Sequence, residues 1–390
     1  VKPPIYLDHA AATPLDAEVA ALVEEVSRTF VNPSSLYAQA RAQKRILETA
    51  RSQVAKLLGA RPTEIVWTSG GTESVNLAIQ GVLRAHPGAA WVTTAIEHDA
   101  VLGCLKPLKR EGHNVTTVGV KPNGIVDPTV VTKAVDDETV LVSVMLANNE
   151  IGTIQPVAEI GKRLAEIRTD RAKRGITLPL YLHSDACQAA GYLDLSVTRL
   201  GVDLLSLNGS KIYGPRGSGL LYIKHGTKLE PLIYGGGQER GRRSGTENVA
   251  AVAGLAVALQ RGQAKRLGEA KRLSGLRDHL HERLSAVIVE MIVNGDMKHR
   301  LPNNLNLTFP GLDGQSLVLY LDQAGIMAST GSACSSGDED PSHVLLAIGR
   351  SDEEARASLR LTLGYSTTAE QMTYVAEKLP PIVQRLVTID

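Results

Sequence analysis

Between about Ile65 and Lys224, short β-branched runs alternate with stretches whose apolar residues recur at helical spacing. The runs "EIVWTSGG", "AAWVTTAIEH", "VLVSVMLANNE", "LPLYLHSDA", "DLLSLNGSK" and "GLLYIK" read as strands. Strand–helix alternation of this kind predicts an α/β fold, a mostly parallel sheet covered by helices on both faces. The stretch "AVAGLAVALQRGQAKRLGEAKRLSGLRDHLHERLSAVI" predicts a long helical region bridging to a second unit. Beyond it, "NNLNLTFP", "SLVLYLDQAG", "IMASTGSAC" and "ASLRLTLG" predict a smaller α+β domain. Pro380 and Pro381 are expected to interrupt the last helical pattern, which starts near Thr368, because proline lacks the N–H that a helix interior uses.

The polar residues are informative by position. Thr72, His98, Asn149, Asp185 and Lys211 each fall at or just past the C-terminal end of a predicted strand. In open parallel sheets that edge binds ligands, and five such residues converging predict one site there.

Composition narrows the class. A chain of 390 residues exceeds one small core. With 43% apolar and 21% charged residues and a formal net charge of +1, it reads as globular, without a general nucleic-acid or membrane-surface role. No apolar run is long enough to span a bilayer and no secretory signal pattern opens the chain, so a cytoplasmic protein is expected. The three cysteines, Cys104, Cys187 and Cys334, are too widely spaced for a zinc site. Cys104 and Cys187 read as small core residues. Cys334 lies in "ASTGSACSSGDEDPSH", which has no apolar periodicity. The acidic residues after it would raise its pKa, so activation of that thiol has to come from the site it reaches.

The candidate chemistry starts with "TSGGTESVNLAIQ", a strand running through Gly70 and Gly71 into a helix opened by Thr72. It is either a plain strand–turn–helix or a phosphate cradle, since helix-opening N–H groups carry partial positive charge. Lys211, in "LSLNGSKIYGPRGSG", is either a surface lysine or an imine-forming amine presented among small residues. Asp185, in "HSDACQAAG", places a carboxylate where it can face a cationic heterocycle, and His98 in "IEHDAV" can lie flat on such a ring. Lysine, aspartate and a phosphate cradle together are what pyridoxal 5'-phosphate requires.

At this point the blocks "YLDHAAATP", "NPSS", "SGGTESVNLAI", "EHDAVL", "NNEIGTIQP", "HSDACQAAG", "SKIYGPRGSG", "GGGQERGRRSGTEN", "STGSACSSG" and "LRLTLG" resemble, in order, those of the NifS/IscS-type cysteine desulfurases. These form part of the class-V aminotransferase group of fold-type-I pyridoxal phosphate enzymes. The resemblance runs from Tyr6 onward, and the serine-rich segment around Cys334 is similar to the long-loop class. It implies a large domain over 15–258 with a mostly parallel seven-stranded sheet, and a small domain of 1–14 and 259–390 carrying the cysteine loop. It implies that Lys211 holds the cofactor as an imine and shuttles protons on the substrate. His98 would stack on the ring, Asp185 pair with its nitrogen and Gln188 bond its phenolic oxygen. Gly71, Thr72, Asn208 and Ser210 would hold the phosphate, with Thr246 reaching across from a second subunit of a homodimer. Asn149 and Arg360 would hold the carboxylate of L-cysteine. Cys334 would take the sulfur as a persulfide, release L-alanine, and pass the sulfur to an acceptor or iron–sulfur scaffold protein, or to a thiolation system. No metal, nucleic acid or membrane partner is implied.

The chain departs from the family at Asn208 and Ser210, where Ser and His are usual, at Tyr37 after "NPSS", and at Tyr365 in "LGY". Asn208 and Ser210 retain hydrogen-bonding capacity, but losing an imidazole is expected to weaken the phosphate clamp unless another group compensates. Competing readings are a selenocysteine lyase or other lyase of the same fold, or a non-catalytic paralogue acting as a scaffold. Cys334 and the retained lysine, aspartate and histidine argue against both.

Overall fold

The computed structural model describes residues 4–330 and 340–388. A short strand β1 (Ile5–Tyr6) precedes seven strands that form the main sheet: β2 (Ile65–Thr68), β3 (Ala90–Thr94), β4 (Val115–Val118), β5 (Thr139–Ser143), β6 (Tyr181–Asp185), β7 (Leu204–Asn208) and β8 (Gly219–Ile223). Their order is β2-β8-β7-β6-β5-β3-β4. Only β8 runs against its neighbours, β2 and β7; the other four pairings are parallel. The strands are apolar on consecutive residues because both faces are covered. Val66, Trp91, Leu141, Leu204 and Leu221 pack on one side with the helix Gly71–Arg84. Ile65, Trp67, Val92, Val142, Leu205 and Leu220 belong to the cluster on the other.

The remaining strands are β9 (Ile292–Val293), β10 (Asn304–Thr308), β11 (Ile326–Met327) and β12 (Ser358–Thr362). Strands β12, β10 and β9 form an antiparallel sheet, and β1 pairs with β11 in parallel. The long apolar stretch is one unbroken helix, Val249–Ser285, of 37 residues. Its first part is buried against the helices Ala17–Ser27 and Ala38–Leu58, and it also packs on the helix Ala369–Val387 and on β10. Among the described residues no helix is long and apolar enough to cross a membrane.

One expectation fails. Pro380 and Pro381 do not interrupt the last helix, which runs from Ala369 to Val387 with both prolines inside it. Met372, Val375, Ala376, Leu379, Val383 and Leu386 form a continuous buried face, while the two prolines lie on its less buried side. Burial of that face outweighs the hydrogen bonds the prolines remove.

The segment Gly235–Asn248 is held by a buried ion pair. Arg51, on the helix Ala38–Leu58, donates to both carboxylate oxygens of Glu239 at 2.7 and 2.8 Å, and both side chains are 2% exposed. Glu239 also accepts the Trp67 N–H at 3.0 Å, tying the segment to β2. Glu239 and Arg240 have positive φ angles of 48° and 58°, which non-glycine residues adopt only when their surroundings impose it. Removing Glu239 strips the buried guanidinium of its buried partner and leaves it only the half-exposed Glu48 carboxylate at 3.1 Å. Glu239→Ala is therefore expected to destabilise the protein by about 3–5 kcal/mol, measured as a lower urea midpoint of unfolding.

Candidate active site

The C-terminal edge of the main sheet positions the candidate residues. Thr72 opens the helix after β2, His98 follows β3, and Asn149 follows β5. Asp185 is the last residue of β6, and Lys211 ends a single turn directly after β7. Two glycines permit this crowding. A Cβ on Gly71 would lie 2.8 Å from Cys187 Sγ, and one on Gly209 would lie 2.2 Å from Ser218 Oγ and 2.8 Å from the Pro215 carbonyl oxygen.

The lysine turn is fastened to the segment after β1. Thr13 donates its N–H to the Ser210 carbonyl at 2.9 Å, and its Oγ1 accepts the Tyr213 N–H at 2.6 Å. Tyr213 has a φ of +63°, a strained conformation this clamp maintains. Its ring stacks on Tyr365 at 3.9 Å and 7°, and its hydroxyl accepts the Tyr365 N–H at 2.8 Å. Tyr365, one of the family departures, thus joins the lysine turn to the end of β12. Lys211 Nζ donates to the Ala10 carbonyl at 2.9 Å, and Gln188 Nε2 donates to the same oxygen at 2.9 Å.

These elements enclose a cavity of about 580 Å³, lined by Gly71, Thr72, His98, Asn149, Asp185, Gln188, Asn208, Lys211 and Arg360. Nine residues singled out in the sequence therefore meet in one place. Ser210 lines an adjoining pocket that shares Gly71, Thr72 and Asn208. Thr246 is exposed and lies outside the cavity of its own chain. Cys334 lies outside the described residues; Asp340 and His343, on the segment that follows it, line the cavity.

Local bonding sets what each group can do. Asp185 Oδ1 accepts the Cys187 N–H at 2.9 Å. His98 caps a short helix, its Nδ1 accepting the Ala100 N–H at 3.0 Å, so the neutral ring carries its proton on Nε2. Arg360, on β12, is almost wholly buried; it donates to Asp8 Oδ1 at 2.8 Å and to the Asn149 carbonyl at 3.2 Å. Beneath Asp185 on the same strand, His183 sits between Ser143 Oγ (2.8 Å) and Ser206 Oγ (2.9 Å), linking β5, β6 and β7. Burial pushes His183 down to about 4, so it is neutral near pH 7. Burial and the nearby Asp185 carboxylate hold the Cys187 thiol well above its usual range, so it stays protonated although it lines the cavity.

Sequence reasoning missed several groups in and next to the cavity. Ala10 and Ala11 contribute backbone carbonyls, which leave no side-chain signal. Cys187 is buried as expected but faces the cavity rather than the core, unlike Cys104. Glu97, beside His98, is fully buried; its Oε1 accepts from Thr94 Oγ1 at 2.7 Å and from the Met145 N–H at 2.9 Å, tying the ends of β3 and β5 together. Its adjacency to a site histidine was the available signal.

A site of this kind on a mostly parallel sheet has known relatives. The aminotransferase class-V family model matches residues 5–375. A cysteine desulfurase IscS of Clostridium botulinum is 45% identical over 389 residues, covering 98% of this chain and 94% of that protein. The solved structure of a NifS-like protein superposes with a TM-score of 0.89 at 34% identity, covering 98% of this chain and 100% of the other. A structure described as SspA in complex with cysteine has a TM-score of 0.79 at 33% identity, covering 92% and 98%. The chain belongs to the class-V aminotransferase family, and within it to the cysteine desulfurases.

Glu97 yields a test of the site's electrostatics. Burial raises its carboxyl to about 8, with Asp185 adding to the rise. Because the folded state holds this proton more tightly than the unfolded chain, its contribution is full below the ordinary carboxylate range and is lost as pH rises through 8. Glu97→Gln keeps the acceptor oxygen without the charge. The wild-type melting temperature is expected to fall more steeply than that of Glu97→Gln between pH 6 and pH 9, measured by thermal melts across that range.

Proposed function

We propose that this cysteine desulfurase binds pyridoxal 5'-phosphate in the cavity, takes the sulfur of L-cysteine onto Cys334 and releases L-alanine. The observation that carries this reading is the meeting of the Lys211 amine, the Asp185 carboxylate and the N-terminus of the helix Gly71–Arg84 around one cavity. The donor set fits the cofactor: an amine for its aldehyde, a carboxylate for its ring nitrogen, and helix N–H groups with Thr72 for its phosphate. The volume also falls within the roughly 300–1,000 Å³ usual for small-ligand sites. When bound, the cofactor supplies an aldehyde that condenses with amines and an electron sink for charge at the amino-acid Cα.

The chain's residues supply the rest. Lys211 Nζ would hold the cofactor and, when not bound to it, would move the proton at the substrate Cα. His98, with its tautomer set by the Ala100 N–H, would face the ring, and Gln188 would bond the ring oxygen. Arg360 and Asn149 bind the substrate carboxylate, the guanidinium being oriented by Asp8. The Cys334 thiolate attacks the substrate sulfur: an S–S bond forms, the substrate C–S bond breaks, and the electron pair left on Cβ takes a proton. The net change moves one sulfur atom from cysteine to the enzyme thiol and leaves alanine.

We assign the sulfur to a protein acceptor, such as an iron–sulfur scaffold, in the cytoplasm. A homodimer brings Thr246 of one subunit to the phosphate of the other. Phe30, Leu36 and Tyr234, exposed at 96%, 87% and 74%, supply apolar surface for such an association. The large unit over 15–258 and the small unit of 1–14 and 259–390 are read as the two domains.

An assay of alanine release from L-cysteine with persulfide trapping tests this. Wild type is expected to form alanine and a persulfide. Cys334→Ala is expected to form no persulfide, and Lys211→Ala to lose at least about 100-fold in kcat. A wild-type protein that yields no alanine from cysteine would overturn the reading.

A further inference from the structure

The phosphate end of the cavity is built differently from a row of equivalent donors. Asn208 Oδ1 accepts two hydrogen bonds from Ser210, one from its N–H and one from its hydroxyl, both at 3.0 Å. Two donors on one side of the amide fix its orientation, so Nδ2 is the end turned the other way. That nitrogen lies 3.4 Å from where a Cβ on Gly71 would stand, against the first turn of the helix Gly71–Arg84. The Ser210 hydroxyl has its proton committed to Asn208.

The charge comes from a third residue. The pocket of about 310 Å³ that carries Ser210, Thr72 and Gly71 is also lined by Arg216 and Glu73. Glu73 is neutralised there by Arg243 at 2.8 Å. Arg216 is exposed and, among the described residues, makes no ion pair or hydrogen bond. The pocket therefore keeps one uncompensated guanidinium next to a helix N-terminus, where a dianion gains most from a full positive charge.

We propose that the cofactor phosphate is held by Asn208 Nδ2 and the Arg216 guanidinium, with Ser210 acting as a positioning residue through Asn208. The inference rests on the pyridoxal phosphate reading. It names the cation that offsets the imidazole missing at position 210, and it assigns Ser210 no contact with the phosphate.

The test titrates cofactor-free protein with pyridoxal 5'-phosphate and, separately, with pyridoxal, which has the same aldehyde and ring but no phosphate. Binding is read from the absorbance of the bound cofactor. Arg216→Gln is expected to weaken binding of the phosphate form about tenfold or more, to leave pyridoxal binding unchanged, and to be largely rescued by Arg216→Lys. Ser210→Ala is expected to weaken the phosphate form several-fold in the wild-type background and to have no further effect in an Asn208→Ala background. Arg216→Gln binding both compounds as wild type does overturns the clamp, as does an additive loss in the Ser210/Asn208 double variant. Equal loss for both compounds in Arg216→Gln also overturns it, since the residue would then act on the fold of the pocket. Wild-type protein that binds neither compound overturns the cofactor reading and the clamp with it.

Discussion

The segment from Asp8 to Thr13 is the constraint that the rest of the site depends on. Its Ala10 carbonyl receives both Lys211 and Gln188, and its Thr13 grips the turn on either side of the lysine. The Ala10 N–H reaches Thr362 Oγ1 at 2.9 Å, and the Asp8 carboxylate holds Arg360. One short stretch of backbone thus registers the end of β7 against β12, two strands of different sheets. The amine and the guanidinium owe their relative position to it.

Around that seam, burial separates neighbouring ionisable groups by charge state. His183 is held neutral below Asp185, between two serines, while Glu97 is raised toward neutrality beside His98. Both remove charge from the buried ends of β3 and β6, one by losing a proton and one by keeping it.

Much of this was legible in the chain because a polar residue ending a fully apolar run has few structural uses. That logic located Thr72, His98, Asn149, Asp185 and Lys211, and the strands themselves. It was blind to Ala10, whose contribution is a carbonyl oxygen. Nor did it show that the Ser210 hydroxyl donates to Asn208 Oδ1, a bond visible only in three dimensions. Pro380 and Pro381 misled because local propensity was read without the buried face that fastens the helix. Thr246 marks another boundary: it is exposed and stands outside the cavity of its own chain.

The two cysteines of the described chain divide its sulfur chemistry by depth. Burial pushes the Cys104 thiol up to about 11, and burial with the nearby Asp185 carboxylate holds Cys187 well above its usual range. Neither offers a thiolate to a neutral-pH electrophile while the fold is intact. Unfolding returns both thiols to water and to the ordinary range, where a thiol-counting reagent reacts with them most readily. The number of reacting sulfurs becomes a gauge of folding, and in the native state a clean signal for whichever thiol the protein leaves open.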